Sequence, residues 1–246
     1  MEPCEYQTMF ELEDRHWWFQ SRLMMTENLL RREILPHFGG RKPRILDLGC
    51  GTGMFLKRRQ AEGDAIGTDI APEALAFCRG RGLAQLIRAD AVSIPLADAS
   101  VDIVTAFDLI EHVADDHALI AEVRRVLKPG GFLMATVPAH PLLWSTHDVS
   151  LHHKRRYTMH EFRALFHQGW QKVRLTPCFS LILPIAAAVR LSRNLRHARR
   201  PPHSDAIVVP EWLNNLLINV HKIESWWIAR HNMPPGVTIL TIQRKT

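Results

Sequence analysis

Cysteine is scarce in this chain of 246 residues: Cys4, Cys50, Cys78 and Cys178 stand far apart and never form a CxxC pair. That spacing excludes a disulfide-stapled scaffold and a cysteine-built zinc site, and a reducing compartment is the simplest setting. Long apolar runs are missing too. The longest, FSLILPIAAAV at 179–189, has about half the roughly 20 residues a helix needs to cross a bilayer, so no membrane-spanning helix is expected. The N-terminal MEPCEYQTMFELEDRHWWF carries early acids and no apolar core, which argues against a signal peptide. Internal repeats and low-complexity tracts are absent. The charge balance leans basic, with 31 Lys and Arg against 25 Asp and Glu, a net +6. An anionic partner (nucleic acid, lipid surface or acidic substrate) is favoured without being required.

What is present is an alternation of strands and helices. RILDL reads as a buried strand ending at Asp47, followed by a helix over 53–62. AIGTD ends a second strand at Asp69, and APEALAFCRGRG is a helix with Pro72 in its first turn. AQLIRAD gives a third strand ending at Asp90 and VDIVTAFD a fourth. In DDHALIAEVRRVLKPGG, Leu119, Ile120, Val123, Val126 and Leu127 keep helical spacing until Pro129-Gly130-Gly131 stops them. FLMATVP, KVRLTPCF and VTILTIQ supply strands five to seven, with a helix over MHEFRALFHQGW. Apolar strands alternating with helices argue for a parallel sheet covered on both faces, an α/β class. About 58 residues between the last two strands break the pattern. They hold an apolar-then-basic helix near 184–199, a Pro-rich link, and a helix near 211–230 with Leu213, Leu216, Leu217, Val220, Ile223 and Trp227 on one stripe.

The sharpest signal is LDLGCGTG, with Gly49, Gly51 and Gly53 between a strand and a helix. Glycine permits positive φ and close approach of a ligand to the backbone. The next helix presents free N–H groups and a positive dipole end, suited to a carboxylate or phosphate. A dinucleotide fingerprint fails, since Met54 takes the place of the third glycine, and no GK[ST] follows for a P-loop. Asp69, Asp90 and Asp108 each stand at or just after a strand's carboxyl end, where open α/β sheets bind ligands.

DLGCGTG, TDI, RADA, FDLIEHV and LKPGG, in this order over residues 43–138, resemble the class I S-adenosylmethionine-dependent methyltransferases. HWWF (His16–Phe19) and the HxRRYT pattern (His153–Thr158) resemble a bacterial subset of them acting on small molecules. The resemblance implies a Rossmann-like seven-stranded sheet, order 3-2-1-4-5-7-6 with strand seven antiparallel, helices on both faces and S-adenosyl-L-methionine as cofactor. Gly49, Cys50, Gly51 and Gly53 would wrap its methionine part, with Asp47 under the ammonium and the Phe107 carbonyl nearby. Asp69 would take the ribose hydroxyls and Ile70 would pack on adenine, with Asp90 and Ala91 at the adenine amino group. Residues 1–42 are then expected as an N-terminal helical lid or anchor, 43–178 and 237–246 as the core, and 179–236 as a helical cap inserted between strands six and seven.

The acceptor pocket would lie above the strand ends. His153, His147 and Asp148 are the catalytic candidates, the histidines as bases and Asp148 as orienter or base. His112 is a pocket wall or a structural residue. Trp144, Arg156 and Tyr157, from the titratable stretch WSTHDVSLHHKRRYT, are substrate-binding candidates, with His153 and Arg156 expected to face the pocket or pin the loop and Tyr157 to pack beneath. A metal held by His147, His152 and His153 is disfavoured by Lys154, Arg155 and Arg156 beside them, and no metal is expected. Trp17 and Trp18 are either a core anchor or an aromatic lid that excludes water.

Residues 179–236 carry seven Arg and Lys against three acids, with Arg190, Arg193 and Arg196 in three-residue steps beside LILPIAAAV. Residues 179–200 fit either an anionic membrane interface or a cap with a solvated basic face. The expected reaction is in-line transfer of a methyl group to a small, hydrophobic or lipid-like acceptor, in the cytoplasm or peripherally at the inner face of the membrane. An RNA methyltransferase is the rival suggested by charge, but no RNA-binding module or NPPY-type tetrad is present, so nucleic acid is not the expected partner. A cofactor-binding scaffold without activity is the other rival.

Overall fold

The computed structural model describes residues 3–60, 63–195 and 209–246, with side chains for 5–60, 63–190 and 209–246. Seven strands form one sheet in the order β3-β2-β1-β4-β5-β7-β6. They are β1 (Arg44–Leu48), β2 (Asp64–Asp69), β3 (Leu86–Arg88), β4 (Val101–Phe107), β5 (Leu127–Pro138), β6 (Trp170–Cys178) and β7 (Thr238–Lys245). β7 runs antiparallel between β5 and β6, and the other pairings are parallel.

The pleat sorts the core into two layers. Leu46, Val104, Ala106, Leu133 and Ala135 point to one face and pack on Leu119, Ile120, Val123 and Val126 of α5 (Asp116–Val126). Their neighbours Ile45, Ile103, Phe132 and Met134 point to the other face. There they meet Met25 and Leu29 of α2 (Trp17–Leu29), and Leu30 and Ile34 of the turn that extends it. Strands buried on both faces need this continuous apolar content. One face of α2 is therefore core, while its residues from Trp17 to Thr26 on another face join the cavity wall with α1 (Pro3–Leu12).

Several boundaries differ from those read in the sequence. β5 starts at Leu127, where the KPGG stop was expected to be loop, and the irregularity appears as a register shift against Val101 and Ile103 with Gly130 at φ 78°. α3 is Met54–Arg59 and α4 Pro72–Gly80. β3 has three residues, so Asp90 lies past its end in an isolated bridge with Ser93. After β5 come two short helices, α6 (Thr146–Ser150) and α7 (Met159–Ala164), each opened by a capping box.

Between β6 and β7 lie α8 (Leu183–Leu195) and α9 (Glu211–Ile228). The Pro-rich link and the side chains of Arg193 and Arg196 fall outside the described residues. α9 corrects the stripe expected of it. Its buried face is His221, Glu224, Ser225 and Ile228, whereas Leu216, Ile223 and Trp227 are exposed. The polar face is held on α2: the Asn28 side-chain amide donates to the Ser225 carbonyl at 2.7 Å, and the Trp17 ring stacks on His221 at 5.5 Å. Directed hydrogen bonds and the ring stack join the burial of Ile228 in orienting this helix.

Candidate functional site

The carboxyl ends of β1, β2 and β4 meet at a cavity of about 700 Å³ roofed by α1, the start of α2, α8 and α9. The β1–α3 loop turns at Gly49 (φ 69°) and Gly51 (φ 54°). A Cβ on Gly49 would lie 2.7 Å from Leu109 Cδ1, and one on Gly51 would lie 2.9 Å from Met9 Cε. The left-handed conformation, rather than space, favours glycine here, since the nearby Leu109 and Met9 side-chain ends could shift, and it leaves bare backbone facing the cavity.

Asp69 accepts from the N–H groups of Gly51 (3.0 Å) and Ala71 (2.9 Å), so the end of β2 is tied to the glycine loop. Asp47 is buried and accepts from Thr105 Oγ1 at 2.6 Å. Burial pushes its carboxyl up to about 7, against the lowering pull of the Thr105 hydrogen bond and Arg22. A cationic ligand end beside it would favour the ionised form. Cys50, Ile70 and Phe107 also line the cavity, and Ile70 is 60% exposed, an open apolar platform. The glycine cradle, Asp69, this platform and a buried carboxyl suited to an ammonium group fit the parts of S-adenosylmethionine.

Other residues expected at the cofactor stand elsewhere. Gly53 caps α3 and packs on Leu83 and Cys78, away from the cavity wall. Asp90 and Ala91 follow the end of β3 and do not line this cavity; Asp90 accepts from the Val92 N–H at 3.1 Å.

The opposite end of the cavity is built by the segments after β4 and β5. His147, His153, His112 and Arg156 line it, with Trp17 and Trp18 on the α2 side. Trp18 stacks on Phe179 at 4.3 Å, so the tryptophans are anchor and wall at once. Asp148 is completely buried behind His153. Its Oδ1 meets His153 Nδ1 at 2.9 Å and Arg156 Nε at 2.8 Å, and its Oδ2 accepts from the Ser145 N–H at 2.9 Å. Burial alone would raise the Asp148 carboxyl; the His153 hydrogen bond and the Arg156 charge outweigh it and hold the group well below the ordinary carboxylate range. An ionised Asp148 makes Nδ1 of His153 the donor and leaves its Nε2 lone pair toward the cavity. Trp144 and Tyr157 are not lining residues. Tyr157 is buried and its hydroxyl donates to Asp116 at 2.7 Å, which pins the loop to α5. Arg155 donates to the same carboxylate at 2.7 Å.

Two wall residues carry no sequence-level assignment. Arg22 pairs with Asp108, whose φ of 50° is unusual for a non-glycine residue. Glu111 has a fully buried carboxyl that accepts no hydrogen bond from any other described residue. Burial, and then the Asp108 charge, raise its carboxyl well above the ordinary range. Burial likewise, with His153 beside it, pushes His112 down to about 4. Glu111 stands in the FDLIEHV motif, one residue before His112, yet nothing in its spacing tells a buried ligand from a surface acid.

Residues 46–135 match the family described as methyltransferase domain. The malonyl-[acyl-carrier protein] O-methyltransferase of Methylococcus capsulatus is 36% identical over 173 residues, covering 59% of this chain and 61% of that protein. The demethylmenaquinone methyltransferase of Thermus thermophilus is 39% identical over 99 residues, covering 37% and 45%. The ubiquinone biosynthesis O-methyltransferase of Bordetella avium is 29% identical over 129 residues, covering 48% and 54%. The chain spans about half the length of the curated relatives it matches. Among solved structures, a possible histamine N-methyltransferase from Thermotoga maritima superposes with a TM-score of 0.60 at 18% identity, covering 98% of this chain and 95% of that one. A putative methyltransferase in complex with the Haloferax volcanii Trm112 activator gives 0.61 at 20% identity, covering 98% and 93%. These likenesses speak for the fold. A methyltransferase-domain match over residues 46–135, laid on this sheet order with the glycine loop at the switch point, supports a class I S-adenosylmethionine-dependent methyltransferase.

Proposed function

We propose that the protein transfers a methyl group from S-adenosylmethionine to a small, hydrophobic or lipid-like acceptor. One observation carries this reading: a single cavity joins the glycine loop and Asp69 at one end to an apolar roof and His153 at the other. In it, Gly49, Gly51 and Asp69 hold the cofactor, Ile70 supports its base, and Asp47 receives its ammonium group. When bound, the cofactor supplies an electrophilic methyl group on a sulfonium sulfur. The chain orients the acceptor, a contribution of about 7–11 kcal/mol in well-aligned reactions. Trp17, Trp18, Ile185, Leu213 and Leu217 exclude water from the acceptor volume. Where the acceptor loses a proton, the lone pair of His153 Nε2 receives it, and Asp148 stabilises the cation that forms.

The apolar roof favours a hydrophobic acceptor, and relatives named for ubiquinone biosynthesis, demethylmenaquinone and malonyl-[acyl-carrier protein] support a small-molecule class. Among the described residues no helix is long and apolar enough to cross a membrane. The outward apolar side chains of α9 support peripheral contact with a lipid surface instead.

Calorimetry with S-adenosylhomocysteine tests the cofactor half. Wild type binds, and Asp69→Ala binds at least tenfold more weakly, having lost an anchor of both ligand and loop. Wild type without binding rejects the reading. Methyl-deuterated S-adenosylmethionine incubated with a bacterial lipid extract, followed by mass spectrometry, tests the acceptor; a label entering RNA in place of any extract component rejects the hydrophobic class.

A further inference from the structure

We propose that Glu111, His112 and His153 form a binding site for a divalent transition-metal cation in the acceptor half of the cavity. The inference rests on reading that half of the cavity as the acceptor site.

One ligand atom from each of the three residues lies within 4.8 Å of the other two. All three residues line the cavity. Their chemistry is two imidazoles and a carboxylate, a donor set that suits borderline divalent ions such as zinc, manganese, iron or cobalt. Both histidines are held from behind. His153 gives its Nδ1 to Asp148, and His112 is hydrogen-bonded to the His152 backbone. Second partners of this kind fix the ring and aim the other nitrogen at a metal.

Glu111 is the observation least explained otherwise. Neither carboxyl oxygen has a hydrogen-bond partner from any other described residue, only its own backbone N–H acting on it, and the side chain is fully buried. A buried carboxyl is normally satisfied, and one left bare is costly. His153 Nε2 stands 3.9 Å from Glu111 Oε1, too far for a hydrogen bond. A tetrahedral cation bonded at about 2.1 Å to each ligand holds them roughly 3.4 Å apart, so ligand atoms spread over as much as 4.8 Å close by up to about 1.4 Å through side-chain rotation. The nearby cations do not oppose one more positive charge. Arg155 is paired with Asp116, Arg156 with Asp148 and Arg22 with Asp108. The objection raised by Arg155 and Arg156 is thereby weakened, and Lys154, the third cation of the run, is exposed to solvent; the metal-binding set proposed is not His147, His152 and His153.

Three protein ligands leave coordination positions open, as in catalytic rather than structural sites. Those positions face the cavity, where water or an oxygen or nitrogen donor of the acceptor would complete the shell. With the cation bound, the lone pair of His153 Nε2 is committed to it, so His153 serves as the base proposed above only in the metal-free protein.

The test uses the full chain, stripped with chelator and titrated with Co²⁺, read by visible d–d absorption, with S-adenosylhomocysteine binding measured on every sample. We expect one Co²⁺ per chain in wild type. Glu111→Gln and His153→Ala should each weaken Co²⁺ binding more than tenfold while still binding S-adenosylhomocysteine. Asp148→Asn, which keeps all three ligands, should weaken it by about 10–100-fold. His117→Ala, an exposed histidine of α5, should leave it unchanged. Wild type that binds S-adenosylhomocysteine but no Co²⁺ overturns the metal site and leaves the methyltransferase reading intact. Co²⁺ binding undiminished in both Glu111→Gln and His153→Ala also overturns it. Co²⁺ binding that depends on Glu111 without any S-adenosylhomocysteine binding upholds the site and rejects the methyltransferase reading.

Discussion

Oδ1 of Asp148 is shared by two residues three apart in the chain, His153 Nδ1 at 2.9 Å and Arg156 Nε at 2.8 Å. This contact explains the HxRRYT pattern: the histidine faces the cavity, the second arginine locks the carboxylate behind it, and the tyrosine reaches Asp116 below. Asp148→Asn preserves volume but removes the charge that fixes the His153 tautomer. Turnover should fall about 10–100-fold, while S-adenosylhomocysteine affinity in calorimetry changes less than twofold. Asp148→Ala should also cost about 3–5 kcal/mol in urea denaturation, because it leaves Arg156, only 6% exposed, without its counter-ion. Equal turnover for wild type and Asp148→Asn would remove His153 from the chemistry.

The sheet was legible because β1, β2, β4 and β5 are apolar on both faces, and only a parallel sheet between helices buries such strands. The glycine loop was legible for a conformational reason: positive φ at Gly49 and Gly51 admits few other residues. The end of the third strand was less legible: β3 stops at Arg88, two residues before Asp90, and a short edge strand leaves little trace in sequence. α9 misled through its composition, since its leucines and tryptophans mark a helical stripe whichever way the stripe faces. The contacts of Asn28 and Trp17 with its polar face decide that, and they join residues nearly 200 positions apart. Glu111 and Arg22 became visible through burial and partners, which are three-dimensional properties.

Asp47 gives a pH signature. Its folded carboxyl sits at about 7 against an ordinary 3.8, with Thr105, Arg22 and Asp69 as the groups that act on it. The folded, cofactor-free protein therefore prefers the neutral form. This preference contributes stability that is full below pH 3.8 and is lost as pH rises through about 7. The ammonium end of S-adenosylhomocysteine supplies the missing counter-charge, so binding releases a proton below pH 7. Affinity should rise between pH 6 and pH 8, and calorimetry in buffers of different ionisation enthalpy should register the proton. Asp47→Asn should flatten this dependence and weaken binding about tenfold or more, the value of one charge-assisted hydrogen bond. It should also raise the thermal midpoint of the free protein at pH 8 and leave it unchanged at pH 4. A pH-independent wild-type affinity would place the ammonium elsewhere.

Asp102 gives the opposite sign, far from the cavity. It accepts from Arg41 at 2.9 and 3.0 Å, from the Arg44 N–H at 2.8 Å and from Lys128 at 3.1 Å. Burial would raise its carboxyl, but these partners, Arg41 foremost, bring it to about 2. A depressed carboxyl stabilises the fold above the ordinary value of 3.8 and ceases to do so as pH falls through about 2. Arg41 and Lys128 are half exposed, so screening reduces the contribution to about 1–2 kcal/mol. Asp102→Asn should lose that amount in urea denaturation at pH 7. Its deficit should shrink between pH 4 and pH 2, and a deficit constant across that range would refute the electrostatic origin.

The outward face of α9 makes the last prediction. Trp212 is 69% exposed, Ile223 67%, Trp226 53% and Leu216 51%, and the Arg230 guanidinium lies 4.3 Å over the Trp226 ring. Water penalises such a surface, whereas a lipid interface accepts both its aromatic rings and its cations. The opposite side of the same helix sends Leu213 and Leu217 into the cavity, so a hydrophobic acceptor would pass from lipid to site across one helix. In flotation with vesicles containing anionic lipid, wild type should co-migrate with the vesicles. The double variant Trp212→Ser/Trp226→Ser should lose at least tenfold in partitioning. Its thermal midpoint should stay near that of wild type, because neither side chain is part of the buried core. If the variant floats as wild type does, α9 has no part in lipid contact; if wild type fails to float at all, the acceptor must reach the cavity from solution.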